Sequence, residues 1–294
     1  MNNINVFFEN KFQKSDEGIY ILDKKDHYVK NFGKQWKNYN KVQIDSYNNF
    51  LVSKNFLKKI IFNELNFLKG KKILEIGCGA GRFTEYLAPL SSICVSVDLS
   101  SAIFYNVASN EKNLILVKAD FLKLISKSKF DIVICRGVLQ HTPEPKDSIL
   151  KLYEFINEEG IVFFDIYPMP KIGFLHPKYL FWRPLIKTFF TYEKFEFFLK
   201  KNIVKLLFVK RLIKRIFFNS NFFADFFIPV WDYKGKINLN DKQFNEWSIL
   251  DTLDGIYAQY DNPIRTRKLL NFLKKNKIKI LKKDLINNIY KTKI

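Results

Sequence analysis

The chain has 294 residues, enough for one large domain or two small ones around a substantial core. A formal charge of +20 and an isoelectric point near 9.6 suit a nucleic acid, an anionic membrane or a phosphorylated substrate, although the abundance of Lys, Asn, Ile and Phe, as in an AT-rich genome, produces the same balance unaided. Three cysteines, Cys78, Cys94 and Cys135, with no CxxC pair, exclude a disulfide scaffold and a structural zinc site and point to a reduced, cytosolic compartment.

The start, Met1-Asn2-Asn3-Ile4-Asn5, lacks the basic-then-apolar pattern of a signal peptide, and no apolar run approaches the length of a membrane span. Residues 1–50 are expected to form an N-terminal cap. Within it, Gly18 to Leu22 followed by Asp23-Lys24-Lys25-Asp26 reads as strand and turn, and the aromatics of Phe32 to Tyr39 anchor the cap to the core. From Ser53 the spacing of Leu57, Ile61, Leu65 and Leu68 predicts one helix, with Gly70 as its C-cap.

Residues 51–170 read as an α/β core. Ile73 to Ile76 is a short buried strand that breaks at Gly77-Cys78-Gly79-Ala80-Gly81 and enters a helix, Phe83 to Leu87. Glycine permits positive φ and removes the Cβ that would hold a ligand away. Such a turn cradles a nucleotide-like ligand, and an acid about 20 residues on holds its ribose hydroxyls. That acid is Asp98, followed by Leu99, at the end of a second strand, Ser92 to Val97. Ser100 to Asn110 reads as a helix. Leu114 to Val117 is a third strand, running into Lys118-Ala119-Asp120-Phe121. Phe130 to Cys135 is a fourth, followed by Arg136 and the segment to Pro145. A helix at Ser148 to Asn157, a turn at Glu158-Glu159-Gly160 and a fifth strand, Ile161 to Tyr167, complete the pattern. Strands this apolar, alternating with helices, form a parallel sheet covered on both faces. Ligands then bind beyond the carboxyl ends, where Gly77, Asp98, Asp120 and Arg136 gather.

The spacing Glu75-x-Gly77-x-Gly79-x-Gly81 is not the GxGxxG of NAD enzymes. With the strand-end acid it resembles motif I and its partner in class I S-adenosylmethionine (SAM) methyltransferases. "FDIVICRGVLQHTPEP" resembles the segment after the fourth strand in methyltransferases of the ubiquinone/menaquinone-biosynthesis type, where an "LHH-x-x-D-P" run is common. With "KKILEIGCGAGRF", "VSVDLS" and "KADF", the resemblance covers roughly residues 70–167. The flanks "GKQWKNYNKVQID" and "DTLDGIYAQYDNP" resemble a subgroup met among surface-polysaccharide and secondary-metabolite enzymes.

The resemblance implies a seven-stranded, mostly parallel, Rossmann-like sheet, SAM as cofactor with S-adenosylhomocysteine as product, and a small-molecule, sugar or lipid-precursor acceptor, with O- or C-methylation favoured over N-methylation. It implies contact of the Gly77, Cys78 and Gly79 backbone with the amino-acid part of SAM, Gly81 completing the turn, and Glu75 orienting the turn or the methionine amine. Asp98 and Leu99 then meet the ribose, Asp120 the adenine amino group and Phe121 the ring, and Arg136 joins the cofactor contacts. A hydroxyl or acidic carbon needs a base, and His141, just past the fourth strand, is the first candidate. Asp165, Tyr167 and His176 follow, with Tyr167, His176 and Tyr257 as acceptor contacts. Glu158-Glu159-Gly160 departs from a common Pro-Gly-Gly turn. The lack of an Asn-Pro-Pro-Tyr segment disfavours methylation of adenine or glutamine amide nitrogen. Competing readings are a non-catalytic SAM-fold module at a membrane surface and an RNA methyltransferase; nucleic acid is not expected, since no RNA-binding module is visible.

From Lys171 to Ser220, Lys and Arg far outnumber acids and aromatics are dense: Phe174, Tyr179, Phe181, Trp182, Phe189 and Phe190. On a helix, Phe195, Phe198, Leu199, Leu206, Val209, Ile213, Ile216 and Phe217 form one stripe, opposite Lys200, Lys201, Arg211, Lys214 and Arg215. Residues 171–262 are therefore expected to form a helical acceptor lid that can also touch an anionic inner membrane face in a bacterial cytoplasm. Asp251, Asp254, Tyr257 and Tyr260 line the acceptor site or cap an ordinary helix. Residues 263–294 supply a helix, Arg265 to Asn276, and an antiparallel strand pair at the sheet edge.

Overall fold

The computed structural model describes residues 3–235 and 237–294. They fall into two compact units, the chain through Met169 with Gln259–Ile294, and Pro170–Ala258.

The first unit is a nine-stranded sheet. Its strands are β1 (Gln13–Lys14), β2 (Tyr20–Ile21), β3 (Lys72–Ile76), β4 (Ile93–Asp98), β5 (Leu114–Lys118), β6 (Phe130–Cys135), β7 (Ile156–Asp165), β8 (Lys279–Asp284) and β9 (Ile289–Lys293), in the order β1-β2-β5-β4-β3-β6-β7-β9-β8. The run from β2 through β7 is parallel, and antiparallel pairs close both edges. Seven strands were expected; the two extra ones come from the N-terminal segment, where Tyr20 pairs with Val117 and Ile21 with Lys118.

Successive residues of each central strand face opposite layers. Leu74, Ile76, Val95, Val97, Val133, Cys135, Val162 and Phe164 meet the helix Thr266–Lys275 through Leu269 and Leu273, and the N-terminal Phe7 and Phe8. Ile73, Cys94, Ile132, Ile134 and Phe163 meet Leu57, Ile60 and Ile61 on the other side. Phe7 stacks on Phe130 at 5.3 Å and Phe8 packs edge-on to Phe155 at 6.1 Å. Ile4, Phe7 and Phe8 are thus part of the core.

Besides Thr266–Lys275, the helices of this unit are α1 (Lys30–Tyr39), α2 (Asp45–Asn48), α3 (Val52–Ile61), α4 (Thr84–Leu87) and α5 (Pro145–Tyr153). Three expectations are corrected. The helix expected to run from Ser53 to Leu68 stops at Ile61, because Phe62 turns left-handed (φ +51°) and its N–H returns to the carbonyls of Lys58 and Lys59; Leu65–Leu68 is a separate 3-10 turn. Gly70 is not its C-cap, and its N–H instead donates to Leu90. Ser100 to Asn110 is not a helix: a 3-10 turn, Ser101–Tyr105, ends at Asn106, whose amide oxygen accepts from Ala108 N–H. Glu158-Glu159-Gly160 lies inside β7, where the register against β6 shifts between Phe130 and Ile132.

The second unit contains α6 (Arg183–Phe189), α7 (Tyr192–Ile216), α8 (Asn221–Phe227) and α9 (Asp241–Tyr257). α9 opens with a capping box between Asn240 and Gln243. A Cβ on Gly255 would lie 2.5 Å from the Trp231 ring, so glycine there lets the indole reach the helix. The expected stripe on α7 is only partly right. Phe195 and Leu199 are buried, with Tyr192, Ile203 and Leu207, whereas Phe198, Val209 and Ile216 are exposed. Lys210 completes the buried row. Its ammonium meets Asp225 at 2.5 Å and the Val230 carbonyl, and Arg211 holds both carboxylate oxygens of Asp232.

Candidate cofactor site and active site

The turn after β3 needs its glycines. Gly77, Gly79 and Gly81 all have positive φ, and a Cβ on Gly77 would lie 2.0 Å from a methyl of Val138. Four N–H groups of this turn are committed inward. Gly77 and Cys78 donate to the Val97 carbonyl, Gly79 donates to Asp98 Oδ2 at 2.7 Å, and Gly81 donates to the Cys78 carbonyl. Contact through the backbone of residues 77–79 therefore falls to carbonyl oxygens, which suit an ammonium better than a carboxylate.

Glu75 fixes the turn from below. Thr84 and Ser96 hydroxyls donate to its Oε2 at 2.6 and 2.7 Å, while Oε1 is buried with no hydrogen-bond partner. Burial pushes its carboxyl up to about 7, against the hydrogen bonds from Thr84 and Ser96. The folded pKa lies above the unfolded one near 4.5, so the stability this group contributes is complete below about pH 4.5 and is lost as the pH rises through about 7, a change of roughly 3 kcal/mol. Glu75→Gln is expected to flatten the melting-temperature profile between these pH values; a profile identical to wild type refutes the assignment.

The strand-end acids sit beside the turn. Asp98 Oδ1 accepts from the N–H and hydroxyl of Ser100 at 2.7 and 2.6 Å, and Oδ2 takes the Gly79 N–H. Burial raises the Asp98 carboxyl, opposed by these hydrogen bonds. Leu99 is buried next to it. Asp120 caps the following turn through Leu122 N–H and receives the Tyr28 hydroxyl at 3.3 Å, with Phe121 buried in the core. Arg136 forms an ion pair with Asp165, whose other oxygen accepts the Gly137 N–H at 2.7 Å, so these two candidates hold each other.

His141 is buried beyond β6. Its Nδ1 lies 2.9 Å from the Tyr260 carbonyl, an acceptor only, so Nδ1 carries the proton and the neutral ring keeps its lone pair on Nε2. Phe32 and Tyr167 pack on the ring at 4.9 and 5.6 Å. Tyr167 thus adjoins His141. His176 and Tyr257 belong to the second unit. There His176 packs on Tyr179 and Phe222, burial lowers its pKa, and Tyr257 donates to the Phe190 carbonyl at 2.9 Å. The thiols of Cys78, Cys94 and Cys135 are buried and held above their usual range by burial.

The sequence reading missed one row of residues. Tyr28, Phe32 and Trp36 are spaced by four along α1 and the turn before it, and so share a face. Tyr28 meets Asp120 and Tyr260, Phe32 meets His141, and the Trp36 indole stands 3.5 Å from where a Gly79 Cβ would be. Their spacing was the available signal. A second wall is Asn106, whose amide oxygen would be 2.6 Å from a Cβ on Gly81.

Residues 74–164 match the family model described as a methyltransferase domain. The chain is 34% identical over 113 residues to a ubiquinone biosynthesis O-methyltransferase of Glaesserella parasuis serovar 5 (35% of this chain, 48% of that protein). It is 35% identical over 108 residues to the mitochondrial ubiquinone biosynthesis O-methyltransferase of Schizosaccharomyces pombe (34% and 39%). The chain thus spans less than half the length of these curated relatives. Among solved structures, PKMT2 from Rickettsia typhi in complex with AdoHcy superposes with a TM-score of 0.51 at 21% identity, over 79% of this chain and 43% of that one, a likeness of fold. With the motif I turn, the strand-end acids and the mostly parallel sheet, residues 74–164 are a class I SAM-dependent methyltransferase domain.

Proposed function

We propose that the chain transfers a methyl group from SAM to a hydroxyl of a small-molecule, sugar or lipid-linked acceptor. The observation that carries this reading is the convergence of the Gly77–Gly81 turn, Asp98 and Asp120 at the carboxyl ends of adjacent parallel strands. The residues fit the cofactor: a turn stripped of Cβ atoms, a buried Glu75 oxygen with no partner, and an Asp98 oxygen engaged by only one donor. Asp98 would hold the ribose hydroxyls, Asp120 the adenine amino group, and the carbonyls of residues 77–79 the amine, with Trp36 and Tyr28 closing the opposite side. SAM supplies a methyl on a sulfonium, already a good electrophile, so the protein's main task is alignment. Calorimetry tests the reading: S-adenosylhomocysteine should bind at micromolar concentration and NAD should not. Failure of both to bind folded protein overturns it.

The relatives named as O-methyltransferases favour oxygen as the acceptor atom. His141 Nε2 would take the hydroxyl proton, its ring oriented by the Tyr260 carbonyl. His141→Gln is expected to lower kcat by 10²–10⁴-fold while leaving S-adenosylhomocysteine affinity within about threefold. Unchanged kcat removes the base. The helical unit at 170–258, in this reading, selects the acceptor.

A further inference from the structure

The second unit carries an apolar face that its own core does not use. On α7, opposite the buried row, Phe197 (69% exposed), Val204, Phe208 (67% exposed), Leu212 and Ile216 succeed one another at steps of seven and four, which is one side of a helix. The helix ends at Phe217. Phe218 then turns left-handed at φ +52° and is 98% exposed at the tip of the hairpin into α8. Phe222, Phe223, Phe226 and Phe227 of α8 are also exposed, and Phe217 stacks on Phe223 at 4.8 Å. Contiguous apolar surface of this kind is rare on a protein that has no partner for it.

The charges on this face identify the partner. Exposed Lys201, Lys205 and Arg215 lie between the exposed apolar side chains, with Lys194 and Lys200 at the margin. From Lys171 to Ser220 there are twelve Lys and Arg against two acids, Glu193 and Glu196, and Glu196 is paired with Lys200. Asp225 and Asp232 are committed to Lys210 and Arg211. The free charge is thus positive and interleaved with phenylalanine. A surface that is anionic outside and apolar a few ångströms below complements it, and that is the interface of an acidic phospholipid layer. Among the described residues no helix is long and apolar enough to cross a membrane, so α7 would lie in the interface plane.

We propose that the α7–α8 hairpin docks on an anionic phospholipid surface, with Phe197, Phe208, Phe218 and Phe222 entering the interface and Lys201, Lys205 and Arg215 at the headgroups. The test is flotation of the full chain with vesicles of phosphatidylcholine alone or mixed with phosphatidylglycerol, at low and high salt. The bound fraction should rise at least tenfold with phosphatidylglycerol and fall as salt screens the charges. Phe208→Ser with Phe218→Ser, and separately Lys201→Glu with Lys205→Glu, should each reduce binding at least tenfold without moving the melting temperature, since all four side chains are exposed. Equal binding to both vesicle types, or binding unchanged in both variants, overturns the proposal. So does a concentration-dependent dimer that the Phe208/Phe218 pair abolishes while vesicles remain unbound, because a second copy of the chain is then the occupant.

Discussion

Asp98→Ala is expected to lower the affinity for S-adenosylhomocysteine by about 100-fold or more. A carboxylate that accepts two ribose hydroxyls contributes about 1.5–3 kcal/mol per hydrogen bond, and about 2.7 kcal/mol is already 100-fold. The side chain is aimed before any ligand arrives, because Ser100 and the Gly79 N–H hold its two oxygens from opposite sides. The same bonds mean that Asp98→Ala also loosens the glycine turn, so a second variant separates the effects. Ser100→Ala removes one hydroxyl donor but keeps the carboxylate, and should cost no more than about tenfold. Calorimetry on both variants, with circular dichroism to confirm folding, decides the matter. Affinity within about threefold of wild type in Asp98→Ala would remove the ribose assignment.

Lys118→Met is expected to destabilise the first unit by about 3 kcal/mol, because it removes a buried cation and leaves the half-buried carboxylate of Asp26 without it. The Lys118 ammonium is nearly fully buried at the end of β5. It reaches Asp26 at 2.9 Å, the Leu99 carbonyl at 3.0 Å and the Asp23 carbonyl at 3.2 Å. One cation thus ties the N-terminal segment to the ends of β4 and β5, where the strand-end acids stand. Asp26 is also held by the N–H and hydroxyl of Ser101, and a Cβ on Gly33 would press to 2.3 Å from its Oδ2, so the contact has little room to rearrange. Thermal unfolding should report a fall on the order of 10 °C. Adding Asp26→Asn should recover part of the loss, since the orphaned charge is removed with its partner. A melting temperature unchanged in Lys118→Met refutes the clamp.

The strands of the core could be read residue by residue because each is a short, nearly all-apolar run. Ile73 to Ile76, Ile93 to Val97 and Phe130 to Cys135 have no other way to bury both faces than the middle of a parallel sheet. The glycine turn was equally legible, since its local φ values forbid most other residues. Helix ends were not. Ser100 to Asn110 has a helical pattern, but Asn106 is engaged by the glycine turn, whose Ala80 carbonyl accepts the Val107 N–H. That interaction comes from outside the segment. β1, two residues long, carries too little pattern to be seen, whereas β2 lies within Gly18 to Leu22, which reads as a strand, and only its pairing with β5 comes from the tertiary structure.

What the sequence determined by itself is therefore the local part of the site: a strand, a turn that must be glycine, and an acid at the end of each neighbouring strand. These follow from backbone sterics and burial, which act within a few residues. Tertiary structure alone decided which groups remain available to a ligand. It spent the N–H groups of Gly77, Cys78 and Gly79 on Val97 and Asp98, paired Arg136 with Asp165, and set the His141 tautomer with a carbonyl 119 residues away. It also redrew part of the buried row of α7, burying Lys210 beneath Asp225 and leaving Phe198, Val209 and Ile216 of the expected stripe exposed. The physical reason is common to these cases. A hydrogen bond or ion pair in a protein interior is chosen by which partner lies within about 3 Å, and chain distance carries no information about that.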